Sequence, residues 1–296
     1  MKKLLSIILA IVMLASIVAV VPVSARTEYG GVDGNISFHI DLVNGKLTID
    51  GQGSMPEYEA RKAPWYCYNT YIYSVEVADT ITSIGDYAFY FLPNVTSIKM
   101  GNKITTIGKG AFSYIWELPS LELPASVKII EDSAFQGCKK MKTFTCKGAA
   151  RVGKQAFLEC DTLSKITMPN AKSFNKRSFA KCKKLTTLNF PKAKMSSYVA
   201  GDHAKGIKSV TAYSVSKATF YGCDTIKTVT LKGTNAISDS AFFDCDALTT
   251  VTAKKVSKVD KYAFYGCGKL KTVDVAKKPQ IGLNAFGNCN KNLKIK

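Results

Sequence analysis

Seven of the nine cysteines fall at one register. Cys138, Cys160, Cys182, Cys223, Cys245, Cys267 and Cys289 are spaced 22, 22, 41, 22, 22 and 22 residues apart. Stacking at that period places successive sulfurs one turn apart. Three chemistries fit such a ladder: a run of disulfides, a thiolate wire for metals, or small buried apolar packing. Zinc sites use local pairs such as Cys-x2-Cys, and the sequence has none. A disulfide needs opposed Cβ vectors at about 3.5–4.5 Å, whereas stacked side chains point the same way. Leu92 and Ile115 hold the same position in the first two repeats, so the exchange is apolar for apolar. The expectation is therefore buried free thiols that react slowly, with no metal and no cofactor.

Other reactive residues are sparse. Only His39 and His203 are present among 296 residues. Asp202-His203 lies near Ser196 and Ser197, but a triad needs a third group holding the base and a nucleophile on a strained turn. No Gly-x-Ser-x-Gly and no phosphate-binding glycine loop occurs. Adjacent acids such as Glu131-Asp132 point apart from a surface turn. No catalytic residue is expected, and the chain is read as a non-enzyme.

The elements that carry these residues repeat. Phe89, Phe112, Phe135, Phe157, Phe179, Phe220, Phe242, Phe264 and Phe286 are spaced 23, 23, 22, 22, 41, 22, 22 and 22 residues apart. The long interval hides a damaged copy. Ile207, Val210 and Ala212 match Leu185, Leu188 and Phe190, which puts Gly201 in the Phe position and Ala204 in the Cys position. The connection from Ala212 to Phe220 is three residues shorter than that from Leu231 to Phe242. Ten turns of 22–23 residues result, the sixth expected to be the weakest. Within a turn, sets such as Cys223, Ile226, Val229 and Leu231 end in strand alternation. A second apolar pair, such as Ile81 and Ile84, precedes each Phe. One turn cannot bury these faces alone, so neighbours must stack into a solenoid with the Phe residues as inward anchors. At ~4.8 Å per strand, ten turns make a rod of roughly 50 Å.

Ile81-Thr-Ser-Ile-Gly-Asp-Tyr-Ala-Phe89, with an apolar residue (mostly Cys) three positions after the Phe and then Leu-x-x-Val-x-Leu, resembles the bacterial BspA-like leucine-rich repeat over about 78–296. Leu123-Pro124, Met168-Pro169 and Phe190-Pro191 retain the Leu-Pro type ending; the later turns are Lys-rich there. The resemblance implies a β-rich leucine-rich-repeat solenoid whose parallel sheet forms a binding face. It also implies a secreted or cell-surface adhesion protein that binds host matrix proteins and other cells.

Residues 26–77 are read as an N-terminal β module covering the open end of the solenoid. Ile36, Phe38 and Ile40 alternate with polar residues, as do Leu47 and Ile49, and Asn44-Gly45 between them predicts a type I′ hairpin. Ala63-Pro64-Trp65-Tyr66 brings a large aromatic to the first repeat. Lys2, Lys3, the uncharged run Leu4 to Val21 and Val23-Ser24-Ala25 read as a signal peptide over 1–25. Its apolar run is also long enough for an anchor if uncleaved. No other membrane span is expected. At the other end, Leu293-Lys294-Ile295-Lys296 reads as the end of a last strand without a cover.

Two surfaces remain as binding candidates. Thr143, Thr145, Lys165, Thr167, Thr187, Asn189, Thr228, Thr230, Thr250, Thr252 and Thr272, joined by Ser209, Thr211 and Asp274, face outward between inward residues of the sheet. Hydroxyls suit glycans or protein backbone, although Thr also favours strands for its own sake. The formal net charge is +19, and sixteen Lys+Arg stand against four acids between Lys128 and Lys194. Lys139-Lys140 and Lys183-Lys184 recur at the same point of the turn and predict a basic edge. Two functions are compatible: an extracellular adhesion protein binding protein or glycan through the sheet, or a wall-associated structural protein binding polyanions through the edge. Sequence-specific nucleic-acid recognition is not expected.

Overall fold

A computed structural model describes residues 27–33, 35–201 and 205–296. The segment read as a signal peptide, and Asp202, His203 and Ala204, lie outside the described residues.

Each turn makes two short strands, one on each of two sheets, joined at a corner that contains the Phe. The front sheet holds Ser74–Val77, Ser97–Lys99, Ser120–Leu123, Thr143–Cys146 and Lys165–Thr167, then the leading halves of Thr187–Met195 and Ser209–Val215. Thr228–Leu231, Thr250–Thr252, Thr272–Asp274 and Lys294–Ile295 complete it. On the back are two-residue strands such as Thr106–Ile107, Arg151–Val152 and Lys258–Val259. All neighbouring turns pair in parallel. The front ladder is not continuous: hydrogen-bonded pairing lapses after Ser97–Lys99 and again after Lys165–Thr167.

The nine repeat Phe residues form the axis of the core. Eight are buried and Phe286 is half-buried. Their rings stack at 5.3–5.9 Å between successive turns, as in Phe112 on Phe135 at 5.5 Å and 3°. Trp65 begins the stack, its ring 5.7 Å from Phe89 and its Nε1 donating to the Ala88 carbonyl at 2.8 Å.

The corner geometry leaves no signal in the sequence pattern. Two residues before and two after each Phe, the backbone is left-handed. The pairs include Tyr87 and Phe91, Gln155 and Glu159, Arg177 and Lys181, and Asn284 and Asn288. Only some of these sites are glycine, such as Gly110 and Gly222. Axial hydrogen bonds over-determine the conformation: the N–H of each Phe donates to the carbonyl of the residue before the next Phe, as from Phe242 to Ala263 at 2.8 Å.

That same bond corrects the damaged turn. Phe179 N–H donates to Val199, and Tyr198 carries the left-handed φ of 51°. The Phe position is therefore Ala200, not Gly201. From Ile207 onward the predicted register holds: Leu188 pairs with Val210 and Phe190 with Ala212. An extra residue thus lies between Ala200 and Ile207, and the three-residue deletion falls between Ala212 and Val215. The missing ring is partly replaced from the sheets. Phe190 lies parallel to Phe179 at 6.0 Å, and Phe174 packs on Phe190 at 4.4 Å. The continuous strands Thr187–Met195 and Ser209–Val215 pair along both sheets, so hydrogen bonding passes here from back to front.

At the N-terminus, Ile36–Asp41 and Lys46–Gly51 form the expected antiparallel hairpin. Its loop is four residues, 42–45, rather than a two-residue type I′ turn. Asp41 Oδ1 accepts the N–H groups of Val43 and Asn44, and Gly45 supplies the left-handed residue at φ 62°. A further strand, Thr27–Asp33, pairs outside it. Lys46–Gly51 continues in parallel into Ser74–Val77, so module and solenoid share one sheet. Glu76 bridges Lys46 and Lys99 across that junction, each at 2.6 Å. Hydrogen bonds from the two ammonium groups hold its carboxyl down at about 2. With its folded value depressed from 4.5, this contribution is present above pH 4.5 and is lost as pH falls through 2.

Candidate functional site

On the front sheet, alternation buries Leu188, Val210, Val229, Val251 and Val273 and turns their neighbours outward. Strand pairing then aligns those neighbours in two rows. The first is Thr187, Ser209, Thr228, Thr250, Thr272 and Lys294. The second is Asn189, Thr211, Thr230, Thr252 and Asp274. All are exposed or half-exposed. Adjacent positions along a row are ~4.8 Å apart, and the two rows lie ~6.6 Å apart. Thr143, Thr145, Lys165 and Thr167 belong to a separate three-stranded piece with Ser120 and Glu122. The candidate face therefore divides into a three-strand and a six-strand patch, and only the latter carries uninterrupted rows.

The four lysines of the basic edge differ from one another. Lys140 pairs with Glu117 at 2.6 Å and Lys183 with Asp161 at 3.2 Å, in each case an acid of the preceding turn. The Lys139 ammonium lies 5.7 Å from the Trp116 ring, and Lys184 is exposed. Exposed pairs of this type add little stability, but they lower the charge the edge presents. A cleft of about 570 Å³ opens between the turn of Phe179 and the damaged turn, with Arg177, Lys181, Lys183 and Lys205 at its walls.

The cysteine ladder does more than fill space. Six of the seven ladder thiols donate to the carbonyl of the Phe one turn earlier, as Cys160 to Phe135 at 3.2 Å, Cys182 to Phe157 at 3.1 Å, Cys245 to Phe220 at 3.1 Å and Cys267 to Phe242 at 3.1 Å. Cys223, which follows the turn that lacks its Phe, donates to the Tyr221 carbonyl at 3.9 Å. A small side chain with one weak donor explains the position better than size alone, and no sequence signal separates the two. None of the nine cysteines is in a disulfide. Burial pushes Cys182 up to about 12 and Cys289 to about 11. Cys67 is the exposed one, so uniformly slow reaction is not expected. At pH 8 a thiol reagent should label Cys67 rapidly, Cys289 more slowly, and the remaining seven only on unfolding, because the thiolate is the reacting form. Mass spectrometry finding Cys245 or Cys267 labelled in the folded protein, or bonded to each other, would overturn this assignment.

Among the described residues, no group of three or more His, Cys, Asp or Glu is placed to hold a metal ion, and no helix is long and apolar enough to cross a membrane.

The family model described as the BspA type leucine rich repeat region matches residues 64–186 and 206–296 in six copies. It begins at the Trp65 segment and leaves out 187–205, which contains the Phe position of the damaged turn. No curated protein matches the sequence. Among solved structures, a leucine-rich repeat protein from Bacteroides ovatus is 20% identical, covering 90% of this chain and 94% of its own, with a TM-score of 0.44. A leucine-rich repeat protein from Eubacterium ventriosum is 19% identical, covering 90% and 96%, with a TM-score of 0.41. A leucine rich cell surface protein from Faecalibacterium prausnitzii is 19% identical, covering 90% and 93%, with a TM-score of 0.40.

Proposed function

Because the chain belongs to the BspA-type leucine-rich repeat family, we propose that it is an exported, secreted or surface-held binding protein whose front sheet engages extracellular protein or glycan. The observation that carries this reading is the six-strand patch. Its two in-register rows present hydroxyl, amide and charged groups on a rigid backbone, with Leu188, Val210, Val229, Val251 and Val273 buried beneath. Rigid presentation of polar groups lowers the ordering cost of binding. The basic edge is the weaker alternative, because two of its four lysines already have acidic partners.

Matrix proteins and glycans should be screened against the purified protein, and any ligand found then tested on a Thr230→Trp, Thr250→Trp double variant. Two indoles in the centre of the patch are expected to weaken binding at least tenfold. A Lys258→Trp change on the back sheet should leave it unaltered. Binding that ignores the double variant would place the site elsewhere on the molecule.

A further inference from the structure

The patch has lysine rims on both sides. On the side where the chain enters the strands, Lys208, Lys227 and Lys271 stand at one register. The Lys227 N–H donates to the Lys208 carbonyl at 2.8 Å, and the chain of bonds continues through Thr249 to Lys271 at 2.9 Å per step. On the leaving side, Lys232, Lys254 and Lys277 follow Thr228–Leu231, Thr250–Thr252 and Thr272–Asp274. All six are exposed. Among the described residues, none has a carboxylate within ion-pairing distance, in contrast to Lys140, Lys181 and Lys183. Lys232 lies five positions after Lys227, so the rims are ~17 Å apart across a polar floor. Asp274 is the acid within the rows, at one end, and Asp224 and Asp246 precede the entering rim by three residues each.

We infer that this surface takes a linear anionic polysaccharide, lying across the strands along the solenoid axis. Its hydroxyls meet the Thr rows, and its sulfates or carboxylates meet ammonium groups on either side. The inference rests on the front sheet being the binding face and names the ligand class for it. Three features select this class. A chain running along the axis meets a similar set of groups every ~4.8 Å, which suits a periodic polymer. Protein interfaces centre on apolar and aromatic anchors, and the floor between Thr187 and Asp274 exposes none; Ile295 is exposed on the terminal strand alone. Single-stranded nucleic acid needs aromatic stacking platforms, and among the described residues Tyr213 is the one exposed large aromatic that adjoins the patch.

Heparin is the probe, with neutral dextran and poly(dT) as comparisons, measured by calorimetry across a salt series on the purified protein. Heparin should bind and dextran should not. A Lys208→Glu, Lys227→Glu, Lys232→Glu, Lys254→Glu variant should weaken heparin about a hundredfold and flatten the log–log salt slope by roughly three. Changing Lys139, Lys140, Lys183 and Lys184 to Glu should cost threefold or less. Unchanged thermal melting of both variants shows that folding is intact. The inference is overturned if heparin fails to bind, if the edge variant loses as much as the rim variant, if dextran binds equally well, or if poly(dT) binds more tightly than heparin. The tryptophan double variant separates the two readings. If it abolishes binding of some other ligand while rim changes do nothing, the binding face stands and the polysaccharide does not. If neither variant affects any ligand, both fall.

Discussion

Phe242→Ala is expected to lower the unfolding free energy by ~3–5 kcal/mol, while Thr250→Ala, eight residues on, should cost well under ~1 kcal/mol. Phe242 is fully buried, with Phe220 at 5.7 Å on one ring face and Phe264 at 5.4 Å on the other. Truncation removes the transfer term of a benzyl group and leaves a gap that the stack cannot close. The flanking rings are held by backbone hydrogen bonds to their own neighbours, so they cannot slide together. Thr250 projects from the sheet into solvent and loses only strand preference. Urea denaturation of the two variants is the measurement. Equal losses would mean that the inward and outward faces have been exchanged.

Trp65→Ala should be comparably severe, at ~3–5 kcal/mol, but with a different distribution. The indole is completely buried, packs edge-on against Phe38 and Tyr58, stacks on Phe89, and donates its N–H into the first turn. It is the side chain through which hairpin and repeat share a core. In a chain of nearest-neighbour contacts, loss at one end propagates weakly to the other. Amide exchange should therefore accelerate in Ile36–Gly51 and around Phe89, with little change from Phe220 onward. Trp65→Phe should recover most of the packing but not the hydrogen bond. Uniform acceleration along the whole chain would show one cooperative unit and contradict the assignment.

The features of the fold that were legible in the sequence are those set by apolar periodicity. The Phe spacing and the Leu/Val alternation predicted the pairing of Leu188 with Val210 through the damaged turn, because an inward position cannot slip by one without turning a strand inside out. The same logic misplaced Gly201. An insertion between Ala200 and Ile207 leaves no apolar trace, and the axial bond from Phe179 to Val199 and the left-handed Tyr198 reveal it. The left-handed corners were illegible because residues as different as Tyr87, Arg177 and Asp244 occupy them; conformation there is imposed by neighbouring turns rather than by local preference. The hairpin loop was misread because Asp41 outweighs the Asn-Gly signal. For the candidate site, the Thr positions were legible from alternation. The lysine rims were not, since Lys227 and Lys232 sit outside the alternating stretch and align with other lysines only once the strands are stacked.

Every strand in this rod lies across the long axis, and the hydrogen bonds between turns lie along it. A molecule tethered at one end and bound at the other would be pulled in line with those bonds, which then break in succession rather than all at once. Each turn that yields releases about 22 residues, or roughly 70 Å of slack, from a layer that had occupied ~4.8 Å. Such a chain would give way in steps and lengthen many-fold while its remaining turns stayed folded. A stack of short strands on a common axis is thus expected to be compliant under tension and rigid at rest.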